Sequence, residues 1–250
     1  MREMQVSTAA IICAAGSSSR AGGIKKEYQS LPSIVSGKEP LTVLGAALMA
    51  FASCPQIGPI VITVMPGHEN GKARSRLPAG LLSSEGGRIH FTAGGPSRRA
   101  SVHNALLFLE PLKPSLVLIH DGARPWVKPD LIERIIDAAI MFGAVIPGLP
   151  LLETPKEFSG FPPEKDEQRK KPAFIKRHLR RAGLCTAQTP QAFRFPEILI
   201  AHEKAAIREE RENIEYTDDA EVWGEFIGQV AVIPGDPENR KITYLEDLNL

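Results

Sequence analysis

The sequence predicts an α/β protein: a mostly parallel central sheet flanked by helices, with a β-arm projecting from it. Three observations carry that prediction. Short runs that are apolar on both faces alternate with segments of helical periodicity. Three of those runs stop in loops of unusual composition, "AAGSSSR", "AGGPSRRAS" and "HDGARP". Beyond Pro150 the alternation gives way to proline and charge. Strands apolar on both faces belong to parallel sheets covered by helices on each side. In such sheets ligands lie outside the carboxyl ends of the strands, so the three loops should share one rim.

Taken in order, Ala9 to Ala14 is a short buried strand. "PLTVLGAALMAFASCP" has helical spacing, with Pro40 in its first turn and Pro55 beyond its end. Pro59–Gly67 is a β-branched strand ending in turn residues, and Arg88–Gly95 is another. Ser97 is placed to cap the helix that follows. Ser115–Pro125 runs from strand into loop. The next helix has Asp130 near its start and Gly143 at its end, and "AVIPGLPLLE" begins a further strand. From Glu153 to Phe195 the composition reads as an arm, with residues 150–185 as its body and an exposed charged insert near 157–172. Two helical stretches, "FPEILIAHEKAAIREE" and "TDDAEVWGEFIG", return to the core, and "QVAVIPG" supplies a closing strand. No linker divides the 250 residues into comparable halves, so one domain spanning 1–250 is expected.

Composition narrows the function. With 43% hydrophobic and 24% charged residues the chain is ordinarily globular. A net charge of +1 provides no global field for nucleic acid or a membrane surface. Three scattered cysteines make neither a disulfide framework nor a zinc site. The first apolar run is short and leads into a Gly/Ser/Arg loop, which reads as a buried strand and not a signal peptide. A cytoplasmic protein is expected.

The loop after the first strand suggests phosphates. Gly16 and the serines can turn tightly and present N–H groups and hydroxyls to phosphate oxygens. The pattern is neither a Walker A loop nor a dinucleotide fingerprint. Its distinguishing feature is the cations Arg20, Lys25 and Lys26, clustered where a solvated face would intersperse acids.

Six motifs in order then resemble one family. They are Ala14-Ala15-Gly16 with Arg20 and Lys26-Glu27-Tyr28; Gly94-Gly95 with Arg98 and Ser101-Val102; and His120 to Pro125. Thr189-Pro190-Gln191, eight residues after Arg181, then Thr217 to Ala220 and Asn239 to Thr243 complete the set. The chain resembles the 2-C-methyl-D-erythritol 4-phosphate cytidylyltransferases over nearly its whole length. The resemblance implies a Rossmann-like nucleotidyltransferase fold and transfer of a cytidylyl group from CTP to a sugar phosphate, with Mg²⁺ on the CTP phosphates.

By the same resemblance Arg20, Lys26 and Lys241 are catalytic. Ala14, Ala15, Gly16, Ser17, Gly94, Gly95, Ser101, Asp121 and Gly122 hold the nucleotide. Asp121, Arg124, Thr154, Arg181, Thr189, Thr217 and Lys241 hold the sugar phosphate. The arm is implied to hook over a second subunit, so that Thr154 and Arg181 serve the neighbouring site of a homodimer. Lys25, one position off the motif, reads as a solvated lysine. His120 reads as a packed strand-end residue, and Asp218 and Asp219 as caps of the helix that follows. Three departures from the family pattern are present: Pro96 where an acid usually follows the second glycine, Ser18 in place of a frequent glycine, and Cys13 where proline is common.

A cytidylyltransferase for another polyol phosphate, such as ribitol 5-phosphate, shares these motifs and remains an alternative. A silent nucleotide-binding protein on the same fold is the reading from a different class. Arg20 and Lys26 argue against it, since pure binding has no need of cations at the α-phosphate.

Overall fold

The computed structural model describes residues 7–18, 22–32, 41–69, 71–84, 87–159 and 173–249. Ten strands and six α-helices are defined among them. The strands are β1 (Thr8–Ala14), β2 (Ile57–Val64), β3 (Ile89–Ala93), β4 (Leu116–Asp121), β5 (Ala144–Pro150), β6 (Lys156–Ser159), β7 (Phe174–His178), β8 (Cys185–Ala187), β9 (Gln191–Arg194) and β10 (Ala231–Pro234). The helices are α1 (Val43–Ala52), α2 (Ala79–Ser84), α3 (Arg98–Leu109), α4 (Pro129–Phe142), α5 (Glu197–Glu212) and α6 (Asp219–Phe226).

The main sheet runs β10-β5-β9-β4-β1-β2-β3, with β8 paired to β5. β1 lies between β2 and β4, parallel to both. Its side chains explain its unbroken apolarity. Ala10 and Ile12 face the core shared with α1 and α4, through Leu44, Leu48, Leu131 and Ile135. Ala9 and Ile11 face the second core, built with Val102 and Leu106 of α3 and with Ile198 and Trp223. A strand sandwiched between two helical layers has no polar face to show.

The helix ends follow local chemistry. Ser97 caps α3 by accepting from the Ala100 N–H at 3.0 Å, and Gly143 closes α4 at φ +80, a left-handed conformation that favours glycine. α1 begins at Val43, not at Pro40, because the Thr42 hydroxyl accepts from the Gly45 N–H at 3.0 Å and provides a better cap. Pro40 itself lies outside the described residues.

The arm is smaller than its composition suggests. Among the described residues only β6 and β7 pair apart from the main sheet, as an antiparallel ribbon. The chain from Cys185 onward returns to the core: β8 pairs with β5, and β9 inserts antiparallel between β4 and β5. In the sequence this stretch reads as arm because "TAQTPQAFRF" is short and interrupted by proline. Phe193 shows why it belongs inside, being fully buried with its ring 5.5 Å from that of Trp223. Residues 157–159 of the charged insert belong to β6, while 160–172 lie outside the described residues. Among the described residues no helix is long and apolar enough to cross a membrane.

Because β9 joins the two parallel portions of the sheet, truncating Phe193 should open a void in the middle of the molecule. Phe193→Ala is expected to lower unfolding free energy by about 3–5 kcal/mol, read from urea unfolding followed by tryptophan fluorescence.

Candidate active site

At the carboxyl ends of β1 to β4 the sheet edge opens into a cavity of about 520 Å³. Gly16, Ser17, Lys26, Arg98, Asp121 and Lys241 are among the residues that line it. The three loops singled out in the sequence therefore do meet at one rim. A larger hollow of about 1370 Å³ opens at the opposite rim, among Pro55, Pro59, Leu107, Phe108 and Ile140. Its arginine, Arg88, donates to the carbonyls of Gly58 and Ala52, and none of the three loops reaches it.

The first loop is held from beneath. Lys25 donates to the Gly16 carbonyl at 2.5 Å and pairs with Glu27 at 3.0 Å. Burial pulls the Lys25 ammonium below its ordinary pKa, against the opposing pull of Glu27. This overturns the reading of Lys25 as a solvated lysine: it is the strut that fixes the glycine. Ser18 stands at φ +54, the left-handed region a glycine would occupy without strain. Its hydroxyl compensates by donating to Glu27 at 3.3 Å and accepting from the Lys26 N–H at 3.4 Å. Lys26 donates to the Ile242 carbonyl at 2.7 Å, which brings it beside Lys241 from the far end of the chain.

The second loop is packed too tightly for side chains. A Cβ on Gly94 would lie 2.2 Å from the Ala15 Cβ, and one on Gly95 would lie 2.6 Å from that of Ala100. Ser101 accepts from the Gly95 N–H at 3.0 Å and donates to the Ser97 carbonyl at 2.9 Å. The hydroxyl thus sets the backbone of the loop and is already engaged.

The third loop carries the charge. Asp121 ends β4 with Arg98 at 3.4 Å, Lys241 at 2.8 Å and Arg124 at 3.6 Å around its carboxylate. Burial would raise its pKa, but Arg98, Lys241 and Arg124 together hold the carboxyl far below the usual carboxylate range. Arg98 also reaches Asp219 at 2.8 Å. Burial disfavours the Arg98 charge, and the two aspartates more than offset it, holding its pKa well above the ordinary value.

A family model described as 2-C-methyl-D-erythritol 4-phosphate cytidylyltransferase (IspD) matches residues 8–250. The chain belongs to this family. A bifunctional IspD/IspF enzyme of Bradyrhizobium sp. (strain ORS 278) is 40% identical over 96% of this chain and 54% of its own length. One of Brucella abortus biovar 1 (strain 9-941) is 35% identical over 83% of this chain and 48% of its own length. The chain thus spans about half the length of the curated relatives it matches. Among solved structures, the 2-C-methyl-D-erythritol 4-phosphate cytidylyltransferase of Thermus thermophilus superposes with a TM-score of 0.68 at 29% identity, covering 98% of this chain and 96% of that one. A 4-diphosphocytidyl-2C-methyl-D-erythritol synthase of Anaerococcus prevotii DSM 20548 gives 0.73 at 26% identity, covering 98% and 93%.

Within this IspD-family chain the expected site residues other than Arg20 divide into three groups. Ala15, Gly16, Ser17, Lys26, Gly95, Ser101, Asp121 and Lys241 line the cavity. Ala14, Gly94, Gly122 and Arg124 sit directly behind them: a Cβ on Gly122 would meet the Cys13 carbonyl at 2.9 Å, and Arg124 donates to the Asn239 carbonyl at 2.8 Å. Thr154, Arg181, Thr189 and Thr217 do not line the cavity of their own chain. Thr154 is exposed on the arm and Arg181 donates to the Leu152 carbonyl at 2.6 Å. Arg20 lies outside the described residues.

Two of the residues expected to hold the sugar phosphate have partners within the chain. The Thr189 hydroxyl is buried, accepting from the Asp121 N–H at 3.1 Å and meeting His120 Nδ1 at 3.0 Å, and so ties β4 to the residues before β9. Both the N–H and the hydroxyl of Thr217 donate to Glu221, at 2.8 and 2.7 Å. Asp218 caps α6 as expected, but Asp219 turns inward, fully buried against Arg98 and His202. Sequence reasoning missed the parts played by Arg98, Glu27 and Asp219. Arg98 and Glu27 stood inside quoted motifs, and the signal available was an arginine at the first position of a helix, where the dipole disfavours a cation.

His120 is fully buried against Phe51, its ring centroid 5.0 Å away, and desolvation pushes its pKa down to about 4. Between pH 6.5 and about 4 the unfolded chain binds a proton that the folded chain refuses. Stability should therefore fall with pH across that window, by up to ~3 kcal/mol from this group. Urea unfolding of the wild type and of His120→Gln at several pH values checks this, the variant losing that part of the slope.

Proposed function

We propose that this chain transfers the cytidylyl group of CTP to 2-C-methyl-D-erythritol 4-phosphate, releasing pyrophosphate and giving 4-diphosphocytidyl-2-C-methyl-D-erythritol. The observation that carries this reading is the convergence of Lys26, Arg98 and Lys241 on one cavity at the sheet's carboxyl rim, beside a glycine loop fixed from below. The family match over residues 8–250 supports methylerythritol phosphate over ribitol 5-phosphate as the acceptor.

The nucleophile is a phosphate monoester whose second pKa is roughly 6, so it is already ionised near neutral pH. Its oxygen attacks the α-phosphorus of CTP, a new P–O bond forms, and the bond to the β-phosphate oxygen breaks to release pyrophosphate. No side chain has to remove a proton. His120 has no role as a base, since its ring is buried and held by Arg124 and Thr189.

What the reaction requires is positive charge where two polyanions meet. Lys26 supplies it in the cavity wall, as Arg20 would in the same loop. Lys241, held at 2.8 Å by Asp121, faces the acceptor phosphate.

Among the described residues no cluster of three or more His, Cys, Asp and Glu is placed to hold a metal ion. Asp121 in the cavity is engaged by three cations. These residues fit an ion that arrives on the triphosphate, since Mg²⁺ is commonly held by substrate phosphates with few protein ligands. Mg²⁺ would neutralise charge on the phosphate oxygens.

The arm completes the reading. Leu152, just before the ribbon, and Phe174 and Ile175 on its two faces are 83%, 73% and 53% exposed, apolar side chains that a two-stranded ribbon cannot bury alone. A homodimer covers it and delivers Thr154 and Arg181 to the partner's cavity. The enzyme works in the cytoplasm.

Pyrophosphate release measured with CTP, UTP and ATP against methylerythritol phosphate and ribitol phosphate tests the assignment, with CTP and methylerythritol phosphate expected to dominate. Lys26→Ala should lower kcat/KM by ~10²–10³, and a chelator should stop turnover. Mixing Lys26→Ala with Arg181→Ala subunits should restore about a quarter of wild-type activity, the share of sites that random two-fold pairing leaves whole. No restoration would rule out a shared site.

A further inference from the structure

Arg98 occupies the first position of α3, just after the Ser97 cap. A cation there faces the positive end of the helix dipole, so something other than the helix must hold it. Two carboxylates do. Nη1 lies 2.8 Å from Asp219 Oδ2, and Nε lies 3.4 Å from Asp121 Oδ1. Asp219 is 1% exposed at the first position of α6, where the dipole favours an acid, and its other oxygen faces His202 Nε2 at 3.3 Å. Asp121 directs its remaining oxygen, Oδ2, at Lys241 and Arg124. The groups form a line of alternating sign: Asp219, Arg98, Asp121, Lys241. It runs from the buried α5–α6 layer to the cavity wall.

Resting on the transfer reaction proposed above, we infer that Arg98 is a positioning residue, which holds one oxygen of Asp121 so that the other keeps the Lys241 ammonium at the acceptor phosphate. The guanidinium alone among side chains offers separate donors in a rigid fork, one for each carboxylate. Lysine keeps the charge but not the fork. With Asp121 released on that side, its carboxylate can turn both oxygens to Lys241 and draw the ammonium off the cavity. A misplacement of about 1 Å at a phosphoryl-transfer site costs about 10²-fold in rate. Asp219 contributes without lining the cavity, by anchoring the guanidinium from behind.

The test measures kcat and KM for both substrates in Arg98→Lys, Asp219→Asn and the double variant, with thermal unfolding recorded for each. Arg98→Lys is expected to lower kcat by about 10²-fold while KM for CTP changes little. Asp219→Asn should lower kcat about tenfold, and the double variant should be no slower than Arg98→Lys, because both changes cut one line. A kcat within twofold of wild type in folded Arg98→Lys overturns the inference, as do losses that multiply in the double variant. If Arg98→Lys does not fold, Asp219→Asn decides: an unchanged kcat with only a lower Tm makes the line structural and nothing more. Wild-type enzyme that releases no pyrophosphate from CTP and methylerythritol phosphate would instead remove the proposed reaction, and this inference with it. Variants as fast as an active wild type remove this inference alone.

Discussion

The carboxylate of Asp121 is the point to which the rest of the site is tied. It stands at the end of a central strand, nearly buried, with Arg98, Arg124 and Lys241 around it. Each cation comes from a different stretch of chain, so one side chain joins α3, the loop after β4 and the carboxyl-terminal segment. Buried ion pairs rarely add net stability, because desolvation offsets the attraction. Removing one partner is severe, at about 3–5 kcal/mol, because a charge is then left uncompensated. Such a cluster is better understood as a device for location than as a source of stability.

Location is what nucleotidyl transfer needs from a protein. Neither substrate has to be deprotonated by a side chain, and the barrier lies in bringing anions together and bearing the charge that develops. Preformed cations meet that need without rearranging at the moment of reaction. The same logic appears beneath the first loop. Lys25 gives its charge to Glu27 and its hydrogen bond to Gly16, while Lys26 lines the cavity and donates to the Ile242 carbonyl. Two adjacent lysines thus have different duties, one beneath the loop and one in the cavity wall.

The glycines tell a related story. Gly94, Gly95 and Gly122 are small because neighbouring protein atoms occupy the space a side chain would take. Their smallness lets the three loops pack on one another, and the shape of the cavity is a consequence of that packing. Ser18 departs from glycine at a left-handed position and uses its hydroxyl to hold the turn with Glu27 and the Lys26 N–H.

The sequence by itself determined the layered α/β architecture, because strands apolar on both faces and helices with capped ends are local properties of the chain. It also determined the rim where the cavity forms, since Gly16, Lys26, Gly95, Asp121 and Lys241 lie in the sequence motifs and line one cavity. Only the tertiary structure decided which polar groups face that cavity. Thr189, Thr217 and Asp219 read as ligands or caps in one dimension. Thr189 meets His120 and Asp219 meets Arg98, 69 and 121 residues away in sequence, whereas Thr217 finds Glu221 only four residues on. The same holds for β9, whose short proline-bounded run has no periodicity to betray it and becomes a central strand only because β4 and β5 leave a gap that Phe193 fills. Local preference sets elements, whereas the burial of a side chain and the partner it finds are settled by residues far along the chain.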